Sequence, residues 1–518
     1  MSKNGRKHLL CQNPATLETI AEIPTISSLD EVSAVVEKAR KAQKKWAKLT
    51  PTERIPYFRK MKQYVQKNID AICRDITLDN GKTLVESLSA EVLPVLDMLN
   101  FCMKDVPHAL QDERLSNPMF KLARIRSRII FEPLGVVAII APWNFPFCIP
   151  ATQTLMAVAT GNAVVLKPAA LTAHTGRLIG NIFEASGFPE GLVNVIQGSG
   201  GVLGDAILAA GVDRIAFTGS VPVGKKLMAN AAPTLTPITL DLGGKDPFIV
   251  CEDADIERAA SGAVWGSFVN AGQVCASVER VYVNKKVAKE FIKLVKEKTD
   301  KLRVGNGLDF GVDMGPLIDD GQVQTVKAHV EEAVAKGAKV LSGGHEVTEL
   351  PGHFFRPTVL VDVDHTMECM VEETFGPTMP VMVVANDDEA IELANDSKFA
   401  LTASVWSKST SHAEGIAKRI VTGTATVNDC EFTYGFAQCP WGGPKESGIG
   451  RTHSIHGLLE FTNLKNLTVT TPMMRNNIWW YPYSENKYRG IKALTNTLYN
   501  DSLLNKCSGM SDFLKITK

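Results

Sequence analysis

The chain has 518 residues, 45% hydrophobic and 22% charged, with lysine plus arginine equal to aspartate plus glutamate. That length carries two or three domains with substantial cores, and the balanced charge leaves no whole-molecule attraction to nucleic acid. Ten cysteines with no CxxC pair and no regular spacing do not make a disulfide framework, so a reduced, cytoplasmic protein is expected. The basic start is followed only by Leu9, Leu10 and Cys11, too short for a signal-peptide core, and no run of about eighteen apolar residues would span a membrane.

Asn13-Pro14-Ala15-Thr16 reads as a turn into a short alternating strand, Thr19–Pro24. Ser28 and Asp30 offer caps for a helix through Val32, Val35, Val36 and Ala39, whose apolar spacing is three and four. Residues 51–110 continue as amphipathic helices with few breakers. Over Phe120–Ile130 the period changes to two, as Arg124, Arg126 and Arg128 alternate with Ala123, Ile125, Ser127 and Ile129. That is a strand with a wet or intersubunit face, and so short a ladder does not make a nucleic-acid patch. Val136–Ala141 is a continuous β-branched run, the pattern of a strand buried on both faces of a parallel sheet. The unit then recurs as strand Ala163–Lys167, helix Thr172–Ser186, strand Val193–Gln197, helix Gly201–Ala209, strand Arg214–Thr218 and a helix from Ser220. Such alternation predicts a doubly wound α/β domain. A second alternation, from Phe248–Val250 through Val281–Val283 to Val381–Val384, predicts another.

Four features follow strands, where open α/β sheets bind ligands. Pro142-Trp143-Asn144-Phe145-Pro146 is a stiff loop whose Asn144 amide can donate to a developing oxyanion. Lys167-Pro168-Ala169-Ala170 places a lysine at a strand end, suited to a ribose hydroxyl or a phosphate. Thr218-Gly219-Ser220 starts a helix, with Gly219 permitting close approach and Ser220 as its cap. Asp241-Leu242-Gly243-Gly244-Lys245 sets a carboxylate beside two glycines. A fifth stretch, Asn270–Arg280, holds Cys275 among small and amide-bearing residues, with Ala271 and Gly272 able to turn closely beneath the sulfur. Each feature alone has an ordinary reading: a plain helix cap, a solvated aspartate, a buried core cysteine.

Together they closely resemble the aldehyde dehydrogenase superfamily, from about Asn13 to Thr470. The motifs are the opening Asn-Pro-Ala-Thr, APWNFP, FTGS, LDLGGK, GQVC, EETFGP at Glu372–Pro377 and the closing Trp441–Arg451. The resemblance implies a Rossmann-type cofactor-binding domain at 1–112 and 134–241 and an α/β catalytic domain at 242–455. It also implies an oligomerisation β-arm at 113–133 and 456–472, building a homodimer or homotetramer, with a C-terminal extension at 473–518. The implied activity is oxidation of a small-molecule aldehyde to the carboxylic acid with NAD or NADP, and no metal is implied. Cys275 resembles the nucleophile that gives a thiohemiacetal and then a thioester, with Asn144 and the Cys275 N–H holding the oxyanion and Asp241 at the position of the base. Glu373 matches the carboxylate on the nicotinamide ribose, Phe375 packs near that ring, and Lys167 matches the adenosine-ribose lysine. Trp143, Gly219, Ser220, Gly224 and Gly243 line the cofactor path.

Two departures bear on chemistry. Members that hydrolyse their thioester usually carry glutamate where this chain has Asp241, thirty-four residues before Cys275. The shorter arm puts water activation in question and keeps a CoA-acylating relative open as an alternative; a catalytically reduced structural member and a non-oxidoreductase thiol enzyme, disfavoured without a nearby histidine partner, are the others. Ala170 replaces a glutamate that would repel a 2′-phosphate, which removes a barrier to NADP. Phe145, Trp441, Phe432 and Tyr434 resemble aromatic wall positions for an apolar or aromatic aldehyde, against the alternative of ordinary core packing. Beyond the family core, Ile478–Tyr483 is dense in aromatics, and Tyr488, Ile491, Leu494 and Leu498 recur at helical spacing. These could lie at a membrane interface or pack on this or a partner subunit. Asp501, Ser502 and Asn505 interrupt the pattern and favour packing.

Overall fold

The structure, a computed structural model, describes residues 8–117, 120, 124–471 and 479–499. The basic start at residues 1–7, Ala123 in the arginine ladder, Ile478, and Asp501, Ser502 and Asn505 lie outside the described residues. The chain divides into two compact units, Met1–Leu110 with Glu132–Asn463, and Gln111–Phe131 with Leu464–Lys518.

The larger unit begins with helices whose starts are set by side chains. Ser28 and Glu31 form a reciprocal capping box on Leu29–Trp46, and Thr50 with Glu53 does the same for Pro51–Lys67. Val32, Val36 and Ala39 are buried, as their spacing predicts. One local feature departs from the amphipathic reading: Leu84–Glu86 and Leu93–Lys104 are joined by a π-helical turn, Ser87–Val92. Such turns insert a residue into the helix and are frequent at functional sites.

These helices pack on a six-stranded sheet. Its order is Gly448–Ile449, Ile238–Asp241, Arg214–Thr218, Val136–Ile140, Ala163–Lys167 and Val193–Val195, parallel except for the first pair. Val136–Ile140, the first of the parallel strands in the chain, lies beside Arg214–Thr218, the fourth. Strand order therefore reverses there, which makes the crevice beyond their carboxyl ends the expected ligand site of a doubly wound sheet.

A seven-stranded sheet follows in the order Lys339–Ser342, Thr358–Val361, Thr378–Val384, Val278–Asn284, Asp246–Val250, Thr402–Trp406 and Thr424–Val427. Only the first pair is antiparallel. Each of the two sheets has its own apolar cluster, one built on Val136–Ile140 and Ala163–Leu166, the other on Phe248–Val250 and Val281–Val283.

The smaller unit contains a three-stranded sheet in the order Thr462–Thr470, Ile125–Pro133, Glu113–Leu115. The arginine ladder becomes a strand only from Ile125, because Arg124 sits in the left-handed region at φ 48°. Arg126 and Arg128 are exposed and Ser127 is buried, the alternation that the period of two predicts. Glu485–Tyr499 is a helix, with Leu494 buried and Tyr488 exposed.

Candidate active site

Two loops leave the strands at the switch point. Pro142–Phe147 follows Val136–Ile140, and Gly219-Ser220 follows Arg214–Thr218 and leads into the helix Val221–Ala231. They wall a cleft of about 300 Å3 that is also lined by Asp241, Leu242, Gly243, Glu373, Thr374 and Phe375. Trp143 meets Phe375 edge to face, ring centroids 5.3 Å apart. A Cβ on Gly243 would lie 2.4 Å from the Glu373 carboxylate, so glycine is what lets that acid approach.

Cys275 reaches this cleft through an unusual turn. After the helix Ile256–Phe268, Asn270, Ala271 and Gly272 adopt φ of 51°, 56° and 71°, three left-handed residues in succession. A side chain on Gly272 would strike the Gly376 carbonyl oxygen at 2.2 Å, so the turn beneath the sulfur needs that glycine. The thiol also faces a second cavity, of about 370 Å3, lined by Phe145, Val274, Phe432, Tyr434 and Trp441 among others. Cys275 is the one residue common to the two linings.

Most of the sequence-derived positions come together. Trp143, Asn144, Gly219, Ser220, Asp241, Gly243, Glu373 and Phe375 line the first cleft, and Phe145 and Trp441 the second cavity. Lys167 and Gly224 are not in either lining. Lys167 ends its strand buried, its Nζ 3.6 Å from where a Cβ on Gly200 would stand, at the start of helix Gly200–Ala209. Gly224 has a packing reason, since a Cβ there would lie 2.7 Å from the Leu242 side chain. Ser220 holds the cap position of Val221–Ala231 but makes no side-chain capping bond, contrary to the sequence reading.

The model of the aldehyde dehydrogenase family matches residues 1–467. The chain belongs to that family. It is 38% identical over 470 residues to a 4,4'-diapolycopene aldehyde oxidase of Methylomonas sp, covering 90% of this chain and 87% of the relative. It is similar to a solved structure of betaine aldehyde dehydrogenase from Staphylococcus aureus in complex with NAD+, at 33% identity and TM-score 0.87, over 93% of this chain and 95% of that one. An NADP dependent enzyme of E. coli matches at 32% identity and TM-score 0.86, over 90% of this chain and 96% of that one. The protein is an NAD(P)-dependent oxidoreductase that converts an aldehyde to the carboxylic acid.

In this dehydrogenase burial pushes the Cys275 thiol well above its usual value, and the Asp241, Glu373, Asp246 and Glu431 carboxyls add to that rise. Asp241 is pushed up to about 7 by burial, opposed by hydrogen bonds from Trp441 and Thr218 and by Arg451. Trp441 Nε1 donates to Asp241 at 3.2 Å, and Thr218 Oγ1 lies 3.5 Å from its other oxygen. Glu373 is pushed up to about 8 by burial and by Glu279, while the Gly244 N–H bonds it at 3.2 Å. The Asn144 side-chain amide donates to the Gln273 carbonyl at 3.1 Å.

Two buried ion pairs, which sequence reading did not single out, position these groups. Lys82 Nζ lies 2.7 Å from Glu91 and donates to the Asn144 carbonyl at 2.7 Å. Glu91 in turn accepts the Phe147 and Cys148 N–H groups at 3.1 and 2.6 Å. Lys245 pairs with Glu279, which accepts the Thr374 and Phe375 N–H groups at 2.9 and 3.0 Å. One pair thus fixes the Asn144 loop and the other the Glu373 loop. Among the described residues, Cys251, Asp387 and His412 bring three metal-ligating atoms within 4.8 Å of one another. Asp387 and His412 are already joined by a 2.8 Å hydrogen bond between two helices.

Removing one member of a fully buried pair strands the other. Lys82→Met is expected to lower stability by about 3–5 kcal/mol, read from the shift of the urea midpoint by circular dichroism. A shift no larger than that of an exposed lysine variant, such as Lys418→Met, would show that Glu91 is satisfied without its partner.

Proposed function

We propose that Cys275 is the nucleophile, and the observation that carries this is its place as the single residue shared by a polar cleft and an apolar cavity. An aldehyde entering from the apolar side meets the sulfur opposite the cleft at the sheet's switch point. Sγ bonds to the carbonyl carbon and the C=O pair moves onto oxygen, giving a thiohemiacetal. The thiol starts protonated, because burial and the surrounding carboxyls favour its neutral form. Its proton must leave as the bond forms, and it passes to solvent through the cleft. The backbone N–H of Cys275 and the second N–H of the Asn144 amide, beyond the one given to Gln273, stabilise the oxyanion.

The cleft fits a dinucleotide. Its helix start carries no side-chain cap, which leaves first-turn N–H groups for a pyrophosphate, and Gly219 and Gly243 admit close approach. Trp143, Gly219, Ser220 and Gly243 would wall it and Gly224 would let its helix pack, while Glu373 and Phe375 would stand at the nicotinamide ribose and Lys167 at the adenosine ribose. The bound NAD(P) supplies the hydride acceptor. Asp241 then takes a proton from water as that water attacks the thioester carbon, and the Cys275 thiolate leaves.

The six-stranded sheet is read as the cofactor domain, the seven-stranded sheet as the catalytic domain and the three-stranded sheet as the arm. The outer strand of that arm, Thr462–Thr470, is a sheet edge with eight of its nine residues exposed, Leu464 and Val469 included. Such an edge invites pairing with another copy, which supports a homodimer or homotetramer. The nine cysteines among the described residues, all unpaired, support a reducing, cytoplasmic setting. No helix among the described residues is long and apolar enough to cross a membrane.

Cys275→Ala is expected to abolish hydride transfer while retaining cofactor binding, measured as NAD(P)H absorbance beside fluorescence titration. Steady turnover in that variant would remove Cys275 from the mechanism. On the cofactor, half-buried Ala170 lies in the turn after Lys167 and adds no carboxylate against a 2′-phosphate. NADP is therefore expected to be used at a rate comparable with NAD, and Ala170→Glu to reduce kcat/KM for NADP far more than for NAD. Equal losses would count against a ribose-edge role.

The third test addresses product release. Rapid mixing should give a burst of NAD(P)H approaching one per site, then a slower phase limited by Asp241. Because its pKa is raised to about 7, the carboxylate is present above that pH and lost below it. The slow phase should fall about tenfold per pH unit under 7 and level above it. Asp241→Asn should keep the burst, depress the slow phase by roughly 10²–10⁴-fold and flatten its pH profile; Asp241→Glu should raise it. A wild type with no burst, and a steady rate unmoved by CoA, would show that deacylation is not limiting.

A further inference from the structure

The Cys275 cavity grades from enclosed to open. Near the sulfur Ile149, Val274 and Trp441 are buried, whereas at the rim Leu93, Trp265, Phe432 and Phe436 are 59%, 48%, 41% and 48% exposed. Phe432 and Phe436 stand edge to face with centroids 5.7 Å apart, on the loop that also carries Tyr434. Large aromatic side chains exposed around the mouth of an apolar cavity mark a surface that awaits an apolar partner.

Positive charge is absent from the space itself. The lining contains no lysine, arginine or histidine. Its two acids are engaged in the wall. Asp97 accepts the Ala437 N–H at 2.8 Å and so ties down the aromatic loop. Glu431 buries Oε1 beside Gly266, 3.2 Å from where a Cβ would stand, and burial pushes its carboxyl well above the usual carboxylate range. Lys82 lies 4.1 Å from the Phe145 ring centroid, but its charge is matched by Glu91 and it is fully buried. A substrate carboxylate held inside would lose its water and find no cationic partner. A quaternary ammonium group would meet only Glu431, whose charged form burial disfavours, and Asp97, whose Oδ2 already accepts the Ala437 N–H.

We propose that the dehydrogenase takes long-chain uncharged aldehydes, the tail running from Cys275 past Phe145 and Trp441 and out between Trp265 and the Phe432–Phe436 rim. This rests on Cys275 as the nucleophile. Chain length and the position of charge then govern specificity. Each methylene drawn from water into the cavity raises kcat/KM about fourfold, until the tail passes the rim. A carboxylate is rejected near the aldehyde, where it must be buried, and tolerated at the far end of a long chain, where it reaches water.

The test follows NAD(P)H production by the full chain with butanal, hexanal, octanal, dodecanal, succinate semialdehyde, betaine aldehyde and ω-oxododecanoate. Expected are a rise of about fourfold per methylene from butanal to octanal and a plateau beyond. Succinate semialdehyde should fall roughly a hundredfold below butanal, and ω-oxododecanoate should stay within about tenfold of dodecanal. Trp265→Ala and Phe432→Ala should each lower the dodecanal-to-butanal ratio of kcat/KM at least about tenfold, mainly through KM. Unchanged fluorescence titration with NADH would show that these variants remain folded. A flat response to chain length, a lead for succinate semialdehyde or betaine aldehyde, or an unchanged ratio in both variants would overturn the proposal. No NAD(P)H from any aldehyde would instead overturn the role of Cys275, a result distinct from oxidation with the wrong preference.

Discussion

Three left-handed residues in a row, Asn270, Ala271 and Gly272, set the sulfur of Cys275 between two cavities, and the rest of the site is arranged to keep them there. For a residue with a Cβ that conformation costs about 1–2 kcal/mol, so Asn270 and Ala271 persist only because their surroundings over-determine them. Glu86 accepts the Asn270 N–H at 2.7 Å, and the Asn270 amide donates to the Asn144 and Gln273 carbonyls at 3.1 and 3.2 Å. The Gln273 amide returns a bond to the Asn270 carbonyl at 2.9 Å, and its oxygen accepts the Ile318 N–H at 2.8 Å. Asparagine tolerates the left-handed region and supplies these donors, which accounts for it at the first of the three positions.

The Asn144 carbonyl is where this turn joins the first buried ion pair, because Lys82 and Asn270 both donate to it. The proposed nucleophile and the proposed oxyanion donor are therefore held by one network, and their separation does not depend on a mobile side chain. The second pair, Lys245 with Glu279, does the same for the Glu373 loop from the start of the other sheet. Buried pairs contribute little net stability against apolar replacements, but losing one partner is costly. Their value in this protein is positional: each turns a carboxylate into an anchor for two consecutive backbone N–H groups.

Much of this was legible in the sequence, for physical reasons that can be named. Val136–Ile140, Ala163–Lys167 and Arg214–Thr218 are buried on both faces, so their apolar runs are unbroken and their ends readable to a residue or so. The loops after them must meet a ligand, and their small or stiff residues stand out. The ion pairs were not legible, because Lys82 beside Gly81 and Glu91 within a helix look like solvated charges until the fold brings them together. The π turn at Ser87–Val92 was hidden because one inserted residue barely alters an apolar pattern of threes and fours. Ser220 carries the side chain of a helix cap but makes no capping bond, and only the geometry separates those two facts.

The aspartate at position 241 makes sense beside Trp441. The indole belongs to the wall of the apolar cavity, yet its N–H reaches across to the carboxylate in the polar cleft. Thr218, held by the Gln153 amide at 2.9 Å, approaches the other oxygen. With both oxygens approached, the carboxylate is oriented by the indole and the hydroxyl. As the proposed base, a carboxylate fixed in this way works where it stands, so the water must come to it rather than the reverse. The same bond links the two cavities, since Trp441, in the wall of one, orients the proposed base in the other. On the proposed roles, the fit of a substrate against Trp441 bears on how readily its acyl group is released, not only on how tightly the aldehyde is held.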